Sequence, residues 1–173
     1  YALSFGTYYP SQNLVFDNFP TDPVNRMDSY IIEIWWMRDN MIANNLKHLA
    51  PGPNFKNYIF YSNTLRLFQN GSNQRYYVET PFTAAAAANV DVNGLINPAE
   101  WNKLIFNVRY VQPTYTFEFI VRNNNGTLTG VGNTNVVNQY LQHIVFCHRD
   151  PASCSGIDVY WSLGYYRNLR VWD

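Results

Sequence analysis

"YTFEFIVR", residues 115–122, is the stretch on which the fold turns. Tyr115, Phe117, Phe119 and Val121 fall on one side, and Thr116, Glu118, Ile120 and Arg122 on the other. A period of two is that of a β-strand with one buried face. "NNNGT" follows at 123–127, and its Asn-Gly pair is the strongest short hairpin signal. Before the stretch, "QPT" (112–114) breaks the chain, and "KLIFNVRYV" (103–111) is a second run rich in β-branched and aromatic residues.

The same composition recurs in both directions. "YIIEIWWMR" (30–38), "NYIFYS" (57–62), "TLRLFQ" (64–69), "RYYVET" (75–80), "QHIVFC" (142–147), "DVYWSLG" (158–164) and "YRNLRVW" (166–172) read as strands. Helical signals are few. "RDNMIANNLKHLA" (38–50) could carry a short helix, "TAAAAAN" (83–89) a helix or a loop, and "NPAEW" (97–101) a single turn capped by Asn97. Many short strands with turns between them predict an all-β sandwich of two antiparallel sheets. There is no internal repeat and no flexible linker, so residues 1–173 are read as one domain.

Composition narrows the function. Apolar residues make up 47%, aromatic residues 17% and charged residues only 14%, the reverse of a disordered chain. Net charge is zero and Lys occurs only at 47, 56 and 103, so no clustered basic footprint exists for nucleic acid or an anionic membrane. No apolar run reaches the roughly 18–20 residues of a membrane span.

Cys147 and Cys154 flank "HRDPAS", with Pro151 and Ser153 as turn formers. A disulfide across this loop is expected. Two free thiols, or a metal pair with His148, are the alternatives. Sequons stand at Asn70 ("NGS") and Asn125 ("NGT"). Together they predict an oxidising compartment, extracellular or at the cell surface.

The order of segments resembles the concanavalin A-like, laminin-G-like domain family along the whole chain. "YALSF" (1–5) is similar to its opening strand, and "SYIIEIWWMR" (29–38) to the strand carrying Glu33 and Trp35. "EWNKLIFNV" (100–108) is similar to the strand that opens with Trp101, and "FEFIVRNNNGTLTG" (117–130) to a hairpin turning at Asn125-Gly126. "GYYRNLRVWD" (164–173) resembles the closing strand. The resemblance implies a jelly roll in which first and last strands are neighbours. It also implies a module taken from a larger extracellular protein.

Candidate sites follow from residue chemistry. Only four Glu occur, at 33, 79, 100 and 118, and none has an acidic neighbour two residues away, so a carboxylate pair for glycoside hydrolysis is not expected. Neither a nucleophile elbow nor a credible Cys-His dyad is present. No cofactor is called for. Ca²⁺ is the one ion the resemblance admits, and Asp91 and Asp150 are the candidate carboxylates, although loop aspartates more often bind their own backbone. Alternation puts Ile32, Ile34 and Trp36 inward and Glu33 and Trp35 outward, with Lys103, Asn107 and Arg109 outward on the later strand. An outward face with Trp, Glu, Asn and Arg suits sugar stacking and planar hydrogen bonding, or another interface. The expected function is a non-catalytic, lectin-like adhesion module. It binds a carbohydrate or an extracellular protein through Trp35, Glu33, Asn107 and Arg109. The alternative is a structural domain packing against neighbouring domains or copies, and a glycoside hydrolase-related domain ranks third.

Overall fold

The computed structural model describes residues 3–4, 12–38, 56–80, 88–112, 114–134, 140–148, 160–161 and 164–173. These form β1 (Leu3–Ser4), β2 (Gln12–Phe16), β3 (Tyr30–Arg38), β4 (Lys56–Ser62), β5 (Arg66–Asn70), β6 (Tyr76–Thr80) and β7 (Ala88–Asp91). The second half adds β8 (Asn102–Val111), β9 (Thr114–Asn123), β10 (Gly126–Thr134), β11 (Ile144–His148), β12 (Tyr160–Trp161) and β13 (Gly164–Trp172). No helix occurs among the described residues. The "TAAAAAN" segment ends in strand β7, not in a helix, and 39–50 lies outside the described residues. "NPAEW" forms a turn in which the Asn97 side-chain oxygen accepts the Ala99 amide at 3.1 Å.

Sheet A runs β1-β13-β3-β8-β9-β10, and sheet B runs β2-β11-β4-β5-β6-β7, with β12 beside β4. Every pairing is antiparallel except that of β12 with β4. The expected neighbourhood of first and last strands is present, with Leu3 opposite Tyr166 and Ser4 opposite Tyr165.

The alternation read from the sequence becomes the burial pattern. Along β9, Tyr115, Phe117, Phe119 and Val121 are buried, and along β3, Tyr30, Ile32, Ile34 and Trp36. These side chains meet sheet B in one apolar cluster. Phe60 stacks on Phe106 at 4.4 Å, and Phe146 meets Tyr166 edge-on at 5.1 Å. The Tyr166 hydroxyl donates to the Ile59 carbonyl at 2.7 Å, tying β13 to β4 across the core. Removal of this apolar area from water is the main stabilising term.

The two sheets differ on their outer sides. β4 is buried from Asn57 to Ser62 on both faces, and Phe68 and Glu79 on the neighbouring strands are also buried. On the outer side of sheet A, residues are half-buried or exposed along β3, β9 and β13. The accessible sheet face therefore belongs to sheet A. Trp172 lies on that outer side and is 47% exposed, because its register partner is Ile31.

Candidate functional site

Register assembles the outer face of sheet A row by row, since cross-strand partners share a face. One row reads Arg167, Trp35, Lys103, Arg122 across β13, β3, β8 and β9. The next reads Arg170, Glu33, Ile105, Ile120, and the one after it Trp172, Ile31, Asn107, Glu118. Arg109 lies one row further on, opposite Thr116. The four residues expected to bind ligand, Glu33, Trp35, Asn107 and Arg109, thus lie on one face, spread over two adjacent strands.

Their surroundings give the face its chemistry. Lys103 Nζ pairs with Glu33 Oε2 at 3.0 Å. The Arg167 guanidinium lies 4.0 Å from the centre of the Trp101 ring and 5.1 Å from that of Trp35. Arg170 is 6.0 Å from the Trp172 ring, and the Asn107 amide reaches Glu118 Oε2 at 3.4 Å. Arginine over indole is an electrostatic contact with the negative ring face. Ile105, on the same side, is buried even though it faces away from the core, flanked in its row by Glu33 and Ile120.

Trp101, Arg167 and Arg170 were missed as site residues by sequence reading. Trp101 directly precedes β8 and keeps the parity of Lys103. Arg167 and Arg170 are three apart and would fall on opposite faces of a regular strand. They share a face because β13 is bulged between them, with Asn168 at φ 54°. Only the asparagine, a residue tolerant of positive φ, hinted at this.

The remaining candidates lie elsewhere. Asp91 ends β7, where its Oδ1 accepts the Asn93 amide at 3.0 Å and its Oδ2 binds Arg75 at 2.6 Å. The Asn93 amide first, then Arg75, hold its pKa below the ordinary value. Among the described residues no group of three or more metal-ligating side chains occurs. Asp150, Cys154 and the Cys147 side chain lie outside the described residues, so the disulfide does too. Asn125 is exposed in the β9–β10 turn. Asn70, at the end of β5, is half-buried, and its side-chain oxygen accepts from Ser72 N and Oγ, both at 2.9 Å.

A second polar centre lies on sheet B. Glu79 is 2% exposed and is held by Lys56, by Arg66 at 3.7 Å and by the Tyr58 hydroxyl at 3.4 Å. The Glu79 charge is thus matched inside the fold by Lys56 and Arg66. No protein-family model matches the chain, and no curated protein matches its sequence.

Proposed function

We propose that the chain is a non-catalytic extracellular binding or adhesion module of the concanavalin A-like, laminin-G-like jelly-roll class, with its ligand, a glycan or a protein, on the outer face of sheet A. The observation that carries this is the row on which Arg167 lies against Trp35 and Trp101 beside Lys103, on the sheet face left accessible. Indoles on a flat sheet offer stacking to sugar rings, and Arg, Lys, Asn and Glu supply hydrogen bonds to hydroxyls. None of the four Glu has the acidic neighbour two residues away that a carboxylate pair for glycoside hydrolysis uses, which supports the non-catalytic reading. The strand order, with the first and last strands paired, is consistent with the jelly roll. The sequons and the cysteine pair support the extracellular setting, and mass spectrometry of non-reduced native peptides checks both.

Affinity electrophoresis against a panel of polysaccharides, with Trp35→Ala and Trp101→Ala beside the parent, tests the binding face. Retardation by at least one polysaccharide, abolished by either variant at unchanged melting temperature, is expected. Binding that survives both variants would place the ligand elsewhere. A second reading, a structural domain packing against neighbours or copies, is favoured by edge strand β2, where Leu14, Val15 and Phe16 are 36%, 44% and 39% exposed. Sedimentation analysis showing self-association lost on Val15→Lys, with no ligand retained by sheet A, would select it.

A further inference from the structure

Acids and bases balance over the whole chain, 12 of each. They do not balance on the outer face of sheet A. Register places Lys103, Arg109, Arg122, Arg167 and Arg170 there, with only Glu33 and Glu118 as acids. Glu33 is taken up by Lys103. Among the described residues, Arg109, Arg122, Arg167 and Arg170 make no ion pair. Arg167 Nε is buried and, among the described residues, has no hydrogen-bond partner, while its guanidinium lies on two indoles. A desolvated donor without an acceptor is unfavourable until something completes it. Three of the cations and Trp35 fall in one cross-strand row, Arg167–Trp35–Lys103–Arg122, which spans about 14 Å over four strands.

We propose that this face binds an anionic polysaccharide laid across the strands along that row. Its carboxylate or sulfate groups meet Arg122, Arg170 and Arg167, and its rings lie on Trp35 and Trp101. The inference rests on the reading of sheet A's outer face as the binding surface and adds the ligand's charge and direction. Two features select a saccharide among polyanions. Glu33 and Glu118 stand between the cations, where they accept hydrogen bonds from ring hydroxyls, which a saccharide carries and a DNA backbone or poly-glutamate lacks. The indoles, partly occupied by arginine, offer flat apolar area of the kind a sugar ring covers.

The test uses the intact chain and five probes: polygalacturonate, dextran sulfate, unmodified dextran, poly-glutamate and an oligo-dT. Binding to polygalacturonate or dextran sulfate at low salt is expected, with log affinity falling linearly as log salt rises. Which of the two binds distinguishes carboxylate from sulfate. R122Q combined with R170Q, both at exposed positions, weakens binding roughly tenfold and flattens the salt slope by about 1.4, as for two fewer contacts to a single strand. A melting curve matching the parent's confirms the variant's fold. Equal affinity for unmodified dextran, abolished by Trp35→Ala, overturns the charge assignment while leaving the binding face intact. Binding of the saccharides that persists in both Trp35→Ala and Trp101→Ala overturns the face itself. Preference for poly-glutamate or oligo-dT overturns the ligand class, and no binding to any probe overturns the proposal outright.

Discussion

Four buried tyrosines set the alkaline limit of this domain. Tyr30, Tyr58, Tyr76 and Tyr166 are each 5% exposed or less, and burial pushes all four hydroxyls above their ordinary pKa. The unfolded chain releases these protons near pH 10, whereas the folded chain holds them to higher pH. A folded-state pKa above the unfolded one gives stability that is complete below about pH 10 and is lost as pH rises past it. Urea midpoints should therefore be level up to about pH 10 and fall beyond it, in step with tyrosinate absorbance. At Gly164 the constraint is steric. A Cβ there would collide with the Trp36 indole and sit 2.7 Å from the Met37 carbonyl oxygen. Gly164→Ala should cost at least about 1–3 kcal/mol in chemical unfolding, because a buried indole and a strand backbone cannot both yield. At this scale the sequence was a good guide to the outward orientation of Trp35, Glu33, Asn107 and Arg109, since simple alternation decides where each points. Arg167 was beyond it, since its neighbours come from β3 and from the residue preceding β8.

At the scale of elements, β13 departs from regularity where the function is proposed. The extra residue between Arg167 and Arg170 turns both arginines outward, and Asn168 holds the left-handed backbone at φ 54°. A β-branched side chain is poorly tolerated there, so Asn168→Val should destabilise by about 1–2 kcal/mol, while Asn168→Gly should be near neutral. Equilibrium denaturation of the two variants checks the contrast. Equal loss in both would mean that the asparagine side chain, rather than the backbone, matters. The strands overlooked in the sequence were β2 and β7, and β10 was foreseen only as far as Gly130, as the second arm of the Asn125-Gly126 hairpin; these are three of the four sheet edges. An edge strand pairs on one side only and buries less, so its composition is under weaker constraint. "GTLTGVGNT" of β10 carries three glycines and little apolar content, yet it pairs with β9 along its whole length. Interior strands β3, β8 and β9, packed between partners, announced themselves in composition.

For the whole molecule, β13 is the element that joins beginning to end. It lies between β1 and β3 in sheet A and carries Tyr166 into the core against Phe146 and the Ile59 carbonyl. Removing residues 166–173 would strip β1 of its partner, open the edge of β3 and delete a buried aromatic. An aromatic of that size is worth about 3–5 kcal/mol, against about 5–15 for a whole domain. The truncated chain should unfold or aggregate, as thermal unfolding against the parent will show. A melting temperature within a few degrees of the parent's would mean that sheet A holds without its second strand.

By itself the sequence determined that the chain is β-rich, which residues of β3, β8 and β9 face inward, and that Glu33, Trp35, Asn107 and Arg109 share an outward orientation. These are properties of a period of two, and a period is local. Tertiary structure alone decided which strands lie side by side, and hence that Arg167, Trp35, Lys103 and Arg122 form one row although they span positions 35 to 167. It also decided that the outer side of sheet B is buried at its centre while that of sheet A is accessible, and that a bulge brings Arg170 back beside Arg167. Strand order and bulge position depend on contacts between residues far apart in the chain, and the alternation within a strand is the same whichever neighbour it finds.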